Sequence, residues 1–202
     1  MPPEMKKLVL DLFSIEAVKF GSFTLKRGMT SPIYLDLRMI VSYPAIVKAI
    51  SSALWPFAKQ LSCDLICGVP YTALPLATAI SLERNIPMVL RRKEMKDYGT
   101  KKQVEGAFQK GQTCLIIEDV ITSGTSILET AGSLKTEGLN VEDAVVVIDR
   151  EQGGQKRLKE NGIQLHSLMS IFDLLKVLFH EKKISEDVFR TVNAFFSQIW
   201  TL

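Results

Sequence analysis

The chain has 202 residues and a formal net charge of +3 at neutral pH, and its residues are 47% hydrophobic and 23% charged. These values are ordinary for a globular domain, and so small a charge does not by itself indicate a nucleic-acid-binding protein. No apolar run reaches the roughly 18 residues of a membrane span. The N-terminus lacks the features of a signal peptide, and Cys63, Cys67 and Cys114 form no disulfide framework, so we expect a cytoplasmic protein with buried thiols.

The first sixty residues predict two helices around a pair of short strands. One helix is expected at about residues 4–19, where apolar residues recur at helical spacing. The other is expected at 44–60, which begins at a proline and contains a second, Pro56, that would end or kink it. Between them, a glycine-containing turn separates two β-prone runs, Phe23–Leu25 and Ile33–Leu37. We therefore expect a hairpin or a strand–loop–strand unit there.

From about residue 62, apolar strands alternate with helices. The predicted strands are "DLICGVP", "PMVLR", "TCLIIED", "AVVVID" and "IQLHSLMS". The predicted helices between them are "ALPLATAISLER", "SGTSILETAGSLKTEG" and "GGQKRLKENG". This alternation predicts an α/β fold with a parallel sheet that helices cover on both faces.

The remaining residues predict a small cap on that sheet. The last thirty residues are typical of two helices. We expect one domain with a core at residues 62–170, an N-terminal flank at 1–61 and C-terminal helices at 171–202.

One stretch, "LIIEDVITSGTSI", joins two acids to a loop of small hydroxyl residues. Its apolar strand leads to Glu118 and Asp119, and the loop Thr122–Ser126 follows. Ligands of parallel sheets bind beyond the carboxyl ends of the strands, and a glycine loop at a helix start offers N–H groups to an anion. A ligand with vicinal hydroxyls and a phosphate, such as ribose 5-phosphate, would satisfy both halves. The alternative is that Thr122 and Ser123 only cap a helix and that the acids are exposed in a loop.

The same stretch resembles the 5-phosphoribosyl-1-diphosphate (PRPP) motif of the type I phosphoribosyltransferases. Neither a P-loop nor a dinucleotide-binding fingerprint is present in the sequence. Four further segments resemble the orotate phosphoribosyltransferases, in order and in spacing: "KFGSFTLKRGMTSPIY", "CGVPYTALPLA", "RRKEMKDYGTK" and "DREQGG". Two segments, "GVPYTALPLAT" and "DREQGG", are most similar to the N-terminal domain of the bifunctional UMP synthases of animals. The resemblance covers nearly the whole chain.

The resemblance implies a fold, a reaction and an assembly. The fold would be that of the type I phosphoribosyltransferases. The reaction would transfer the phosphoribosyl group of PRPP to orotate in pyrimidine biosynthesis, with Mg²⁺ bound through the diphosphate and without direct protein ligands. We expect a homodimer with shared active sites and no nucleic-acid or membrane partner.

A basic segment, Arg91–Lys102, has three interpretations. It holds six basic residues against two acids. Such a run is usually a solvated loop, and a short nucleic-acid patch is a second interpretation. The third is a lid that closes on an anionic ligand. The resemblance favours the lid, with Tyr98 at a position where many bacterial relatives carry histidine.

The resemblance also implies a set of site residues. The catalytic residues would be Lys26, Lys96 and Asp119. PRPP would be bound by Lys26, Tyr71, Thr72, Arg92, Lys93, Lys96, Tyr98, Glu118, Asp119, Val120, Ile121, Thr122, Ser123, Gly124, Thr125 and Ser126. Orotate would be bound by Tyr34, Leu35, Thr122 and Arg150.

Alternatives remain open for Arg150, for His166 and for the whole chain. Arg150 follows a strand and could hold a carboxylate through two hydrogen bonds, or it could be a surface arginine paired with Glu151. His166 is expected to be a satisfied core residue. The chain could also be a PRPP-sensing regulator or a purine phosphoribosyltransferase on the same fold. The D-x-K-x-x-D element of a fused orotidine 5′-phosphate decarboxylase domain is not in this sequence.

Overall fold

The strands and helices follow the predicted alternation. The computed structural model describes residues 2–24, 30–61, 63–93 and 103–199. Within these ranges the strands are β1 (Val18–Thr24), β2 (Thr30–Leu35), β3 (Leu65–Gly68), β4 (Met88–Arg91), β5 (Val104–Glu105), β6 (Cys114–Ile121), β7 (Asp143–Asp149) and β8 (Gln164–Ser170). The helices are α1 (Pro3–Ser14), α2 (Pro44–Gln60), α3 (Ala73–Arg84), α4 (Thr125–Thr136), α5 (Gly154–Glu160), α6 (Ile171–His180) and α7 (Glu186–Ile199), with a 3₁₀ helix at Leu37–Ser42.

The central sheet has six strands in the order β5-β4-β3-β6-β7-β8. Five of them are parallel, as the sequence predicts, and β5 pairs antiparallel with β4 at the edge. The sheet is therefore mixed rather than purely parallel. The edge strand was missed because two residues are too few to show a pattern and they follow the polar basic segment.

Helices cover the sheet on both faces, as expected for an α/β fold. The connections β3–α3–β4 and β6–α4–β7 run in opposite directions along the sheet. Because such crossovers are right-handed, α3 and α4 lie on opposite faces. Helix α2 packs against α3, and α5 packs against β8. The central strands are buried accordingly, and every residue of β3 is inaccessible to solvent.

The N-terminal segment differs from its prediction at the first helix. Helix α1 ends at Ser14, not near residue 19, and Glu16 takes a left-handed conformation with φ 58° before β1 begins. Strand β1 then pairs antiparallel with β2, with Val18 opposite Leu35. Apolar residues thus continue at helical spacing beyond the end of α1, but the residues from Val18 onward form a strand because they pair with β2. The predicted hairpin or strand–loop–strand unit is confirmed, although its first strand begins at Val18 rather than Phe23 and its second ends at Leu35.

The other flanking helices are close to their predictions. Helix α2 begins at Pro44 and continues past Pro56 to Gln60. The two C-terminal helices are present, and α6 begins with a capping box in which Ser170 and Asp173 satisfy each other's backbone N–H groups. The division into flank, core and C-terminal helices stays a prediction. None of the helices in the described ranges is long and apolar enough to cross a membrane.

Candidate active site

The loop between β6 and α4 has the geometry of an anion site. Gly124 has φ 74° and precedes the first residue of α4, so the N–H groups of that first helical turn face the loop. The side chains of Thr122, Thr125 and Ser126 are exposed. A concavity of about 50 Å³ is lined by the residues from Glu118 to Ile127, except for Asp119. This loop, Thr122–Ser126, is called the phosphate loop below.

Two hydrogen bonds from helix α5 hold the phosphate loop in place. Arg157 Nη1 donates to the Ser123 carbonyl oxygen at 3.2 Å and to Thr125 Oγ1 at 2.8 Å. The hydroxyls of Ser123 and Thr125 are 3.0 Å apart. Sequence reasoning missed Arg157 because it lies more than thirty residues away along the chain and only the tertiary fold brings it to the loop.

A glycine permits this close approach of α5. A Cβ atom on Gly154 would lie 2.5 Å from the Thr122 carbonyl oxygen and 2.7 Å from Ile121 Cδ1. No side chain fits at such distances. The second glycine of "DREQGG" therefore has a packing reason, which is to bring α5 and Arg157 against the phosphate loop.

The two acids lie inside β6, which continues two residues beyond Asp119. Glu118 is only 6% exposed, and its Oε1 accepts a hydrogen bond from the Asp119 N–H at 3.0 Å. Burial raises the pKa of Glu118 well above its usual range, and the neighbouring Asp119 carboxyl raises it further. Asp119 is half-buried. The alternative in which both acids are exposed in a loop is therefore wrong for Glu118.

Arg150 is a buried cation at the end of the neighbouring strand β7. Its residue is 8% exposed, and its backbone N–H donates to the Ile121 carbonyl oxygen at 3.0 Å. In the described part of the chain, its Nε and Nη2 atoms have no hydrogen-bond partner. Burial lowers the pKa of this guanidinium. The alternative of a surface arginine paired with Glu151 is wrong, and the fold instead leaves two buried N–H groups of Arg150 without an acceptor among the described residues.

The hairpin residues predicted to bind orotate lie near the same C-terminal helix as Arg150. Tyr34 and Leu35 are half-buried in β2, against which α7 packs. The Tyr34 hydroxyl accepts a hydrogen bond from Arg38 Nη2 at 3.2 Å. Arg38 in turn makes a forked contact with Asp36, at 2.6 Å and 2.7 Å. The 3₁₀ helix brings these two residues together, since Asp36 caps its start and accepts a hydrogen bond from the Arg38 N–H.

A second concavity, of about 360 Å³, lies beside the carboxyl ends of β3 and β4. Tyr71 is 63% exposed, and Lys93 Nζ lies 5.5 Å from the centre of its ring. Arg92 forms an ion pair with Glu105 of β5, with Nη2 2.6 Å from Oε1. The predicted diphosphate residues Tyr71, Arg92 and Lys93 are thus brought together, and Thr72 lies beside them at the start of α3.

Comparison with known proteins gives a consistent identification. Residues 37–164 match the model of the phosphoribosyl transferase domain. The orotate phosphoribosyltransferase of Chlamydia caviae is 48% identical over 180 residues, which are 88% of this chain and 87% of that protein. The chain belongs to the orotate phosphoribosyltransferase family.

Larger relatives contain this family as one part. The uridine 5′-monophosphate synthase of Bos taurus is 49% identical over 193 residues, 95% of this chain but 40% of that protein. The structure of the Leishmania donovani UMP synthase superposes with a TM-score of 0.89 at 35% identity, covering 96% of this chain and 42% of the other. The chain therefore spans about two fifths of the length of these two relatives.

Three residues predicted for the family's site lie outside the described residues. They are Lys26, Lys96 and Tyr98. Their roles in catalysis and PRPP binding, and the closure of the basic segment, stay predictions. In the described part of the chain, β4, β3, β6 and β7 are neighbours in the sheet, so their carboxyl ends lie side by side. These ends carry all the other predicted PRPP residues and Arg150.

The remaining titratable candidates lie away from this edge. His166 is not a buried core residue: it is 25% exposed, and its Nε2 lies 2.7 Å from Asp143 Oδ1. Cys67 and Cys114 are buried, Cys63 is half-buried, and all three are free thiols. Burial raises the pKa of Cys67 to about 11. These thiols are therefore protonated and structural at neutral pH.

Proposed function

We propose that the chain transfers the 5-phosphoribosyl group of PRPP to orotate, giving orotidine 5′-phosphate and diphosphate in pyrimidine biosynthesis. The observation that carries this proposal is the buried Arg150 guanidinium, two of whose nitrogens have no partner among the described residues, at the same sheet edge as the phosphate loop. Orotate carries a carboxylate that would satisfy those donors, and PRPP carries the phosphate. A purine acceptor has no carboxylate, which favours orotate over hypoxanthine or adenine.

Different residues would bind different parts of PRPP. The phosphate loop would hold the 5′-phosphate through the N–H groups at the start of α4 and the hydroxyls of Thr122, Thr125 and Ser126. The carboxyl groups of Glu118 and Asp119 would contact the ribose hydroxyls. Tyr71, Arg92 and Lys93 would bind the diphosphate, with the Arg92–Glu105 pair opening or turning toward it.

The chemistry is a substitution at the anomeric carbon of ribose. The bond from that carbon to the diphosphate oxygen breaks, and its electron pair leaves with diphosphate. A ring nitrogen of orotate supplies the pair for the new bond and releases its proton to the departing diphosphate or to water. Such glycosyl transfers pass through an oxocarbenium-like transition state. A carboxylate at Asp119 would stabilise the developing positive charge on ribose, and Lys93, with Lys26 and Lys96, would stabilise the leaving diphosphate.

Magnesium would bind through the substrate rather than through a protein cage. Among the described residues, no group of three or more His, Cys, Asp or Glu side chains is arranged to hold a metal. Such binding suits Mg²⁺, whose ligands would then be phosphate oxygens and water. When bound, the ion would neutralise charge on the departing diphosphate.

A direct assay tests the proposed reaction. The protein is incubated with PRPP, Mg²⁺ and orotate while the absorbance of orotate is followed. We expect consumption of orotate that requires both PRPP and Mg²⁺. Hypoxanthine and adenine serve as acceptor controls, and turnover of either of them without turnover of orotate would contradict the proposal.

We propose further that the enzyme acts in the cytoplasm as a homodimer with shared active sites. This part is supported by the resemblance of the basic segment to the family's lid, which in relatives reaches the neighbouring site. Lys96 would then act in the partner's site while Asp119 and Arg150 act in their own. The interface would be isologous, with two equivalent sites.

Complementation tests the shared site. A Lys96→Ala protein is mixed with an Asp119→Asn protein under conditions that allow subunits to exchange. Each mixed dimer has one site with both intact residues, so activity should return toward roughly a quarter of wild type for random pairing. No recovery despite proven exchange, or a fully active monomer, would mean that the lid closes over its own chain's site.

A further inference from the structure

The Arg150 side chain packs on an aromatic ring of the C-terminal helix. Its Cζ atom lies 5.6 Å from the centre of the Phe196 ring. Phe196 is fully buried in α7. A guanidinium at this distance from a ring centre is attracted by the ring's quadrupole, and the attraction is stronger when both groups are removed from water.

The Phe196 ring is itself fixed in orientation by two other rings. Phe172, in the first turn of α6, meets it edge-on at 5.9 Å and 73°. Phe195 meets it edge-on at 5.3 Å and 77°. Perpendicular pairs at these distances are a preferred aromatic arrangement, so the ring presents a defined face.

The backbone and the side chain of Arg150 are therefore held by different parts of the fold. The backbone N–H is tied to Ile121 at the end of β6, next to the phosphate loop. The guanidinium, by contrast, contacts α7, which also packs against β2 with Tyr34 and Leu35. Helix α7 thus contacts both Arg150 and the strand that carries the other residues assigned to orotate.

We infer that Phe196 is a positioning residue for the acceptor: its ring holds the Arg150 guanidinium in the orientation that receives the orotate carboxylate. This inference rests on the proposed function, because it requires that Arg150 bind orotate. It gives the C-terminal helix a role in acceptor affinity and none in the binding of PRPP.

The physical reason is pre-organisation. Nε and Nη2 of Arg150 have no partner among the described residues, so without the ring the side chain would be free to turn toward other acceptors or solvent. Orotate would then bind only the fraction of molecules in which Arg150 is correctly oriented, and its apparent affinity would fall by that fraction. The strength of cation–π contacts suggests a loss of roughly threefold to thirtyfold.

The test compares ring-less and ring-retaining variants by steady-state kinetics with orotate and PRPP. Phe196→Leu removes the ring and keeps an apolar side chain, and Phe196→Met is a second ring-less variant in case the first does not fold. Phe196→Tyr retains the ring face. Val192→Ala is the matched control, because Val192 is fully buried one turn earlier in α7 and its truncation loosens the same packing.

We expect the ring-less variants to raise the KM for orotate by the stated factor, while the KM for PRPP stays within about twofold of wild type. Phe196→Tyr should restore most of the orotate affinity. Val192→Ala should lower the melting temperature and leave the ratio of the two KM values unchanged. Equal increases in both KM values, in the ring-less variants as in Val192→Ala, would overturn the inference.

A double-mutant cycle with Arg150→Ala separates this inference from the proposed function. If Phe196 acts through Arg150, Phe196→Leu should add less than about a twofold effect in the Arg150→Ala background. An equal effect in both backgrounds would mean that the ring acts only through general packing. If wild-type protein turns over no orotate, the proposed function fails. If it does, and Arg150→Ala changes nothing, the assignment of Arg150 fails.

Discussion

The phosphate loop and the surroundings of Arg150 are adjacent regions that would bind negatively charged groups by different means. The loop is exposed and neutral, and its hydroxyls and carbonyls already make hydrogen bonds with one another and with Arg157. Arg150 is buried and charged, and two of its nitrogens have no partner in the described residues. Ser123 and Thr125 of the loop are therefore held by hydrogen bonds before any ligand arrives, whereas the Arg150 guanidinium still lacks an acceptor for two of its nitrogens among the described residues.

This difference has consequences for both stability and specificity. A formed backbone loop binds any phosphate with little reorganisation, so it suits a donor that many enzymes share. A buried guanidinium without an acceptor destabilises the fold until a carboxylate satisfies it, so it discriminates strongly against ligands that lack one. The two regions together would combine a general phosphate site with a selective acceptor site.

The largest expected effect comes from removing the buried charge. Arg150→Ala loses at least one charged hydrogen bond to orotate, which contributes about 1.5–3 kcal/mol, so orotate kcat/KM should fall by at least roughly tenfold to a hundredfold. PRPP affinity should be unchanged, because the phosphate loop is intact. Steady-state kinetics with each substrate in turn measures both. An unchanged KM and kcat for orotate would remove the contrast between the regions.

A stability measurement sharpens the same comparison. Arg150→Met fills the site with an apolar chain and removes an unpaired buried cation, so its free energy of unfolding should be equal to or higher than that of wild type. Urea unfolding without ligand provides this value. A loss of stability comparable to that of a core truncation would show that the guanidinium is already satisfied in the folded protein.

The next prediction concerns the backbone of the phosphate loop. Gly124→Ala places a Cβ atom at φ 74° and 3.3 Å from Leu158, which should cost roughly 1–2 kcal/mol of stability. The melting temperature should fall by about 2–4 °C for each kcal/mol, and PRPP affinity should fall more than orotate affinity.

Gly132 is the matched control for that substitution. It lies inside α4 with open space around the position of its Cβ atom. Gly132→Ala should therefore stabilise the protein by about 0.5–1 kcal/mol. If both alanines had the same effect, the conformation of the loop would not depend on glycine.

The sequence predicts regular elements and local loops better than contacts between distant residues. Helices α2 and α3 match their predicted ranges, and local signals mark two of their ends: Pro44 at the start of α2 and the left-handed Asn85 at the end of α3. The phosphate loop and the acids were found because they are contiguous. The family assignment, which rests on contiguous motifs, is also confirmed.

The misses have a common physical origin. Arg157, Phe196 and Glu105 meet their partners through contacts that span from 13 to more than 40 residues of chain. Helix α1 was predicted too long because strand pairing at Val18 overrides local periodicity. No local pattern reports a contact of this kind, and the burial of Glu118 and Arg150 likewise depends on which elements cover them.

A smaller effect is expected from the buried carboxyl group of Glu118 in β6. Burial raises the pKa of Glu118 in the folded protein above that of the unfolded chain. Its stabilising contribution is therefore complete below the ordinary carboxyl pKa and is lost as pH rises through the folded pKa. Glu118→Gln should increase the free energy of unfolding by about 1 kcal/mol near pH 8 and less near pH 5.

Unfolding curves of both proteins across that pH range test this sign. The same variant should have lower activity, since Glu118 is proposed to contact ribose. A stability gain that is largest at the acid end would contradict the assignment of Glu118 as a carboxyl group whose pKa is raised by burial.

The smallest effect should come from the one exposed charge at the phosphate loop. Arg157 is exposed, and water screens its charge, so its contribution through the two hydrogen bonds to Ser123 and Thr125 is modest. Arg157→Ala should weaken PRPP binding about twofold to fivefold and leave the orotate KM unchanged. Arg157→Lys should recover part of the loss, since it restores a charged donor but not the planar guanidinium that fixes the position of Nη1. Lys156→Ala, the exposed neighbour in α5, is the control and should have no effect beyond that of removing one surface charge.

The salt dependence of PRPP binding shows how Arg157 acts. A loss of affinity in Arg157→Ala that disappears at high salt indicates that Arg157 acts through the electric field of its charge, whereas a loss that persists indicates that it orients the loop. If Arg157→Ala impaired PRPP binding as severely as Arg150→Ala impairs orotate use, the phosphate loop would depend on a charged side chain after all, and the two regions would recognise their ligands on the same physical basis.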